Sequence, residues 1–422
     1  MKYKNIKKYF SALFFLFCGF SFANARDINW ESIARRTEKN NPSVQSAKIK
    51  FENAKIACKN AMSGYFPEII LKGAASQGEN GNNFSRSYSY GLSAGLSLFS
   101  GFETYNTVRQ KNAELKAAEA DYKRAVSDAA YEAATQYVNL MWAYETVELL
   151  KQIRERRIEN RDMIKLKYDS GNVDAGSLRR VEADVETASY ELRKAERYIE
   201  TASAALLKAM GSSGEETLYT GEKLKVEQRT AVKPDFDELV LNIPEFISAR
   251  HGAESYKALA AKSKSVLWPS VGLSGAISRF DDKWTPDKQS WDAGISVSYR
   301  LFDGGKSYFD IKTAANQMAE AAENFKNTAN RLKAECTANY NALIDCLENV
   351  NVREYYLEAS KLQAEISQNK YINGLSTYQD WYSIENDYIN AQKTFLDAKK
   401  EAVLEKALWR NFIGEGFTEP GK

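Results

Sequence analysis

The chain has 422 residues, of which 58 are lysine or arginine, 56 are aspartate or glutamate and one is histidine. This near balance argues against a nucleic-acid partner, which needs a concentrated basic face. The lone histidine, His251, leaves almost nothing for a histidine-based catalytic triad or a zinc cluster. No phosphate-cradling glycine loop occurs either. We therefore expect no enzyme, no cofactor and no metal site.

Residues 1–25 are typical of a secretory signal peptide. A lysine-rich start precedes an apolar run from Phe10 to Phe22, and Ala23-Asn24-Ala25 offers the small residues that a signal peptidase recognises. The run is too short to span a bilayer permanently, so we expect the mature chain to begin near Arg26. A lipoprotein signal at Cys18 is the weaker alternative, because the bulky Phe17 precedes it.

The rest of the chain contains two copies of one unit. The matching motifs lie 202 or 203 residues apart: Tyr65-Phe66-Pro67 with Leu267-Trp268-Pro269, Leu98-Phe99-Ser100-Gly101 with Leu301-Phe302-Asp303-Gly304, and the segments 167–171 with 370–374. A fixed order at a nearly constant offset indicates a tandem duplication. We predict a first repeat at 26–211, a connecting segment at 212–234 that packs around the middle of the molecule, a second repeat at 235–414 and a tail at 415–422.

Each copy contains two predicted strands, at about 67–77 and 87–99 and at about 269–279 and 290–302. Residues 88–98 and 291–301 alternate apolar with small or polar side chains. Tilted strands of about ten such residues match the height of an outer-membrane barrel. Four strands cannot close a barrel and open edges are not tolerated in lipid, so other chains must complete it. An antiparallel sheet in a soluble sandwich is the alternative.

Long helices follow the strands, at about 103–168 and 177–209 and at about 304–371 and 377–412. Residues 103–167 contain neither proline nor glycine, and their apolar stripe from Leu115 to Val147 recurs from Met318 to Val350. At about 1.5 Å per residue the longest helices reach on the order of 100 Å, a length typical of coiled coils. Shorter helices, about 30–63 and 236–265, precede the strands and would continue the returning helices. Cys58, Cys336 and Cys346 form an odd, scattered set, so we expect free thiols.

This order of motifs resembles the TolC family of outer-membrane efflux proteins over essentially the whole mature chain. The resemblance implies a mainly α fold with a small β part. Three chains would form a homotrimer with one 12-stranded transmembrane β-barrel in outer-membrane lipid, continued by a periplasmic α-helical barrel. It also implies a passive exit duct in a tripartite efflux or type I secretion system, with a periplasmic adaptor protein and an inner-membrane transporter as partners.

The resemblance further implies two roles for the helix tips. The adaptor-contacting positions would be Gly171, Asn172, Val173, Gly374, Leu375 and Ser376, and the pore constriction would be formed by Asp380, Ser383 and Tyr371. Three like carboxylates on one axis would repel each other, bind cations and filter charge. The alternative for Asp380 is an ordinary carboxylate near a helix start, where it is favourable anyway.

The chain departs from the family pattern at the tips. Ser383 stands where relatives place a second acid, Ser376 where they place an arginine, and Ser177 in place of an acidic partner. We therefore expect different contacts to hold the gate. The alternative function is a trimeric coiled-coil structural or adhesive surface protein without transport activity, which gives no reason for two strand pairs that return to a membrane.

Overall fold

The computed structural model describes residues 26–80, 83–214, 216–227 and 233–420. The predicted signal peptide lies outside these ranges. The first repeat consists of β1 (Arg26–Asp27), α1 (Trp30–Asn40), α2 (Pro42–Ser63), β2 (Glu68–Asn80), β3 (Asn83–Ser100), α3 (Glu103–Asp169) and α4 (Ala175–Ala209). After β4 (Leu218–Tyr219), the second repeat consists of α5 (Phe236–Val240), α6 (Pro244–Ser263), a 3-10 turn (Lys264–Leu267), β5 (Ser270–Asp281), β6 (Lys288–Ser298), α7 (Lys306–Ile372) and α8 (Tyr378–Phe412). The mainly α fold in two repeats is confirmed.

The four long strands form one antiparallel sheet in the order β2-β3-β5-β6. Leu71, Leu92, Ile277 and Trp291 lie opposite one another across all four strands. Their row belongs to a face that carries most of the apolar side chains, whereas the row Ile70, Ser93, Ala276 and Asp292 lies on the other face.

The apolar face of the sheet is uncovered. Leu71 is 73% exposed and Trp291 is 74% exposed. Within the described part of the chain, β2 and β6 each have one edge without a partner strand. A soluble sandwich would bury such a face against a second layer, so this sheet does not have the packing that the sandwich alternative requires.

The lengths of α3 and α7 follow from the absence of helix breakers. Each has 67 residues, which corresponds to about 100 Å. The predicted buried stripe is present in part: Tyr137, Leu140 and Val147 of α3 and Tyr340 and Val350 of α7 are buried, whereas Met318 is exposed. Among the described residues, no helix combines the length and the apolar character that crossing a bilayer requires. Cys58, Cys336 and Cys346 are free.

Several element ends differ from the prediction. α4 begins at Ala175 rather than 177, because Asp174 and not Ser177 caps it. α7 begins at Lys306 rather than 304, because Gly304 and Gly305 both have left-handed φ angles. β6 ends at Ser298 rather than 302. Its partner β5 begins only after Pro269, so residues beyond Ser298 have no residue of β5 to pair with.

The main apolar core lies midway along the long helices. Ile33 of α1, Leu140 of α3 and Leu206 of α4 are fully buried there together with Leu218 of the connecting segment. β1 pairs in parallel with β4, and the hydroxyl of Tyr144 donates to the Leu218 carbonyl at 2.8 Å. The connecting segment is therefore held against one face of the helical layer.

The short helices stack on the ends of the returning helices. Asn41 caps α2 by accepting from the backbone N–H groups of Ser43 and Val44, and its side-chain amide donates to the Ala209 carbonyl at the end of α4. Gly211, with φ +70°, closes this junction, and a Cβ added there would collide with the Asn40 carbonyl oxygen. The second copy repeats the arrangement, because Gly414 lies against the ring of Pro244.

We expect Gly211→Ala to destabilise the protein by on the order of 2 kcal/mol, because the left-handed backbone and the collision both act against the added methyl group. Thermal unfolding followed by circular dichroism measures this effect. Gly214→Ala is the matched control, since Gly214 has open space around it and no positive φ. Equal melting temperatures for the two variants would contradict the packing described for this junction.

Candidate functional site: the helix tips

The two turns that join the long helices have the same backbone geometry. At the first, Gly171 has φ +76°, its N–H donates to the Tyr168 carbonyl and the Asn172 N–H donates to the Lys167 carbonyl. At the second, Gly374 has φ +73°, and the N–H groups of Gly374 and Leu375 donate to the Tyr371 and Lys370 carbonyls. These two backbone hydrogen bonds, together with the left-handed glycine, form the Schellman motif, which provides hydrogen-bond partners for the last carbonyl groups of a helix.

The helices that follow the turns are each capped by one carboxylate and one hydroxyl group. The two groups exchange positions between the first and the second copy. In the first copy Asp174 accepts from the Ser177 N–H at 2.9 Å and from the Ser177 hydroxyl at 2.7 Å. In the second copy Thr377 accepts from the Asp380 N–H at 3.1 Å, and its hydroxyl donates to the Asp380 carboxylate at 2.6 Å. Ser177 is thus a capping partner in the place of Asp380. Hydrogen bonding, chiefly from the Ser177 hydroxyl, lowers the pKa of Asp174.

The predicted adaptor-contacting residues lie together at the end of the helices. Gly171, Asn172 and Gly374 are exposed, and Leu375 is 77% exposed. Val173 and Ser376 are half-buried, and Val173 packs against the apolar cluster beneath the turns. An apolar side chain as exposed as Leu375 at the end of a molecule has no packing role within its own chain.

The three predicted constriction residues do not share one environment. Asp380 and Ser383 are exposed on α8. Tyr371 is only 4% exposed, and its ring stacks on Trp381 with centroids 5.1 Å apart. A side chain that lines an aperture must be accessible, so the expectation for Tyr371 is corrected: it packs beneath the tip surface. The sequence places Tyr371 next to the turn but does not fix the direction of its side chain.

A polar network joins α3, α4 and α8 beside this cluster. The Tyr382 hydroxyl donates to Asp184 at 3.2 Å, and the Arg180 guanidinium lies 4.4 Å from the centre of the Tyr382 ring. Arg157 lies 3.6 Å from the Asp184 carboxylate. Its guanidinium also donates to the Asn386 side chain at 2.5 Å. The network therefore ties the beginning of α8 to both helices of the first repeat.

Sequence reasoning missed a buried ion pair next to this network. Glu385 is 1% exposed, and the Arg156 guanidinium donates to both of its oxygens, at 2.5 and 2.8 Å. Asn160 adds a third bond at 2.9 Å. Bonding to Glu385 raises the pKa of Arg156. A signal was available, because Glu385 lies between Trp381 and Ile389 on the buried stripe of α8, where a carboxylate requires a partner.

The comparisons with known proteins agree with this geometry. The sequence matches the family described as outer membrane efflux protein over residues 33–212 and 236–409, which is most of the chain. The chain belongs to this family.

Among its relatives, the outer membrane efflux protein BepC of Brucella suis is 18% identical over 380 residues, covering 89% of this chain and 82% of that protein. The crystal structure of the CmeC outer membrane channel of Campylobacter jejuni has a TM-score of 0.81 at 20% identity, with 93% and 86% of the two chains covered. The crystal structure of the open state of the Neisseria gonorrhoeae MtrE outer membrane channel has a TM-score of 0.82 at 18% identity, with 100% of this chain and 99% of that chain covered.

Membership of the outer membrane efflux protein family indicates how the molecule is oriented relative to the outer membrane. The chain is a protein of the outer membrane that extends into the periplasm. Its sheet, with the exposed apolar rows, is the part suited to lipid. The turns at Gly171 and Gly374 lie at the opposite ends of α3 and α7, on the order of 100 Å away.

Proposed function

We propose that this chain is the outer-membrane channel subunit of a tripartite efflux or type I secretion system. The observation that carries the proposal is the sheet: its apolar rows are uncovered and both of its edges lack a partner within the described chain. Backbone groups at such edges are not tolerated in lipid unless another strand pairs with them. Three chains supply twelve strands, and β6 of one chain pairs with β2 of the next to close one barrel.

In this proposal the helices of the three chains continue the barrel through the periplasm as an α-helical tunnel. The duct is passive and catalyses no reaction. An inner-membrane transporter supplies the energy, and a periplasmic adaptor protein holds the tips. The exposed turns, with Leu375 as their apolar contact, support an adaptor site there.

The periplasmic entrance is constricted by Asp380 and Ser383. Both are exposed on α8 and lie one helical turn apart, so they share a face. Tyr371 and Trp381 support that face from beneath through their stacked rings. The network of Arg157, Asp184 and Tyr382 and the Arg156–Glu385 pair hold α8 against the first repeat in this conformation.

A channel is distinguished from a structural surface protein by solute passage. We expect the purified protein, reconstituted in liposomes, to permit swelling in isotonic solutions of small sugars and to give discrete conductance steps in planar bilayers. We also expect chemical crosslinking in nonionic detergent to yield a species of three chains. Empty liposomes are the control. Sealed liposomes containing correctly inserted protein would favour the coiled-coil surface protein instead.

A further inference from the structure

A groove of about 650 Å3 runs across the middle of α3, between α4 and α8. We call it the α3 groove. Its floor consists of apolar and small side chains of α3 around Trp142, Ala143 and Leu150, and its walls carry charged residues of α4 and α8. Its volume lies within the range of about 300–1,000 Å3 that small-molecule sites occupy. All three helices belong to one chain, so each subunit contains a complete copy.

The α3 groove is lined by more basic than acidic residues. Four basic residues line it, Lys194, Arg197, Lys393 and Lys400, against two acids, Glu191 and Asp397. Both acids are engaged: Glu191 pairs with Lys393 at 2.6 Å, and Asp397 accepts from the Trp142 indole N–H at 2.9 Å. Lys194 and Arg197 have no hydrogen-bond or ion-pair partner among the described residues. The groove therefore presents unneutralised positive charge.

Trp142 and Lys400 add an aromatic surface to that charge. The Lys400 ammonium lies 4.3 Å from the centre of the Trp142 ring, and Tyr198 meets the same ring edge-on at 5.8 Å. Half-burial lowers the pKa of Lys400, because desolvation disfavours its charged form. An anion placed beside this ammonium restores the lost solvation. An aromatic ring attached to that anion can pack against the apolar floor and the side chain of Tyr198.

The α3 groove lies on the face of α3 and α8 opposite the connecting segment. The connecting segment packs on the opposite side, where Glu145 accepts from the Leu224 N–H and pairs with Lys399. If the connecting segment packs around the outside of the tunnel, the α3 groove on the opposite face opens into the duct.

We propose that the α3 groove is a transit site for aromatic organic anions, such as aryl carboxylates or sulfonates. This proposal rests on the proposed function for its position in the duct, but the chemistry of the groove stands on its own residues. The site is weak, with a dissociation constant on the order of 1 mM, because a duct must release what it carries. A cationic aromatic compound is disfavoured by the excess of positive charge.

The test uses 2-naphthalenesulfonate as the probe, titrated into the purified protein in nonionic detergent and followed by ligand-observed NMR. We expect Lys400→Gln to raise the dissociation constant about tenfold, because it removes a charge-assisted hydrogen bond. Arg197→Gln, at an exposed position, should raise it about threefold. Lys151→Gln is the matched control: it removes one lysine of α3 from the opposite face, and it should leave binding unchanged.

The analogous cation, 2-naphthylmethylammonium, should bind at least about tenfold more weakly than the sulfonate. The proposal is overturned if Lys151→Gln and Lys400→Gln weaken binding equally, or if the cation binds as tightly as the anion. Should Lys400→Gln fail to fold, the double variant Lys194→Gln/Arg197→Gln carries the same test with exposed positions only. Conductance of the unmodified protein in bilayers is measured separately: its absence overturns the proposed function, whereas conductance without selective anion binding overturns only the transit site.

Discussion

Replacing Arg156 with alanine is expected to destabilise the helix tips by about 3 kcal/mol. The substitution leaves Glu385 buried and charged with only Asn160 as a hydrogen-bond partner. Removing one partner of a buried pair costs about 3–5 kcal/mol. The lower end applies because the Arg156 side chain is 27% exposed and part of the pair is already solvated. Local opening should rise roughly hundredfold, since about 1.4 kcal/mol corresponds to a factor of ten.

Hydrogen exchange of the amides at the beginning of α8 measures this local opening. Single-channel conductance gives a second readout, because release of α8 from α3 should widen the entrance and raise the current. Arg179→Ala is the matched control. It removes the exposed pair with Glu182, which lies near the same tip and contributes about 0–1 kcal/mol. Similar exchange rates in both variants would show that the Arg156–Glu385 pair does not hold the tip.

A double-mutant cycle separates the pair from its surroundings. The two single variants are Arg156→Met and Glu385→Leu. Glu385→Leu leaves Arg156 able to turn partly toward water, so we expect it to cost less than Arg156→Met. The double variant Arg156→Met/Glu385→Leu removes both charges and fills much of the same space. Such replacements of buried ion pairs are often neutral or stabilising. We therefore expect the double variant to be more stable than Arg156→Met alone, and strictly additive losses would contradict this account.

The fold could be predicted from the sequence because its determinants are local or repeated. The alternation along 88–98 and 291–301, the absence of helix breakers in 103–167 and the constant offset between motifs each fix an element without knowledge of tertiary contacts. The predicted ends of helices were less accurate where a single capping or glycine residue determines the end. Asp174 caps α4, which therefore begins at Ala175, two residues earlier than expected, and Gly304 and Gly305 delay the start of α7.

The tip contacts could be predicted only in part. The turns at Gly171 and Gly374 and the exposed position of Asp380 follow from short-range patterns. The partner of Glu385 does not, because Arg156 is 229 residues away and the two meet only when α8 packs beside α3. Tyr371 was placed in the constriction by its distance from the turn. Its burial depends on the rotation of the last turn of α7 toward Trp381, which sequence spacing alone leaves open.

The role proposed for Asp380 predicts that Asp380→Asn weakens block by divalent cations at least about tenfold and reduces the preference of the pore for cations. At about 4 Å in water, each unit charge pair contributes about 1 kcal/mol. Three carboxylates around one axis together attract a divalent cation by several times that amount before salt screening. Asparagine keeps an oxygen that can accept from the Thr377 hydroxyl, so the cap of α8 survives while the charge is removed.

The duplication supplies the control for this experiment. Asp174→Asn removes one carboxylate per subunit at the equivalent turn of the first copy, where Asp174 caps α4 through Ser177. Both variants change the net charge of the tip equally. Only Asp380→Asn should alter block by Mg2+ in planar bilayers and the reversal potential in a salt gradient. Equal effects of the two variants would mean that the charge of the tip as a whole, and not a ring of Asp380 side chains, sets selectivity. No change in either variant would leave Asp380 only as the partner of the Thr377 cap.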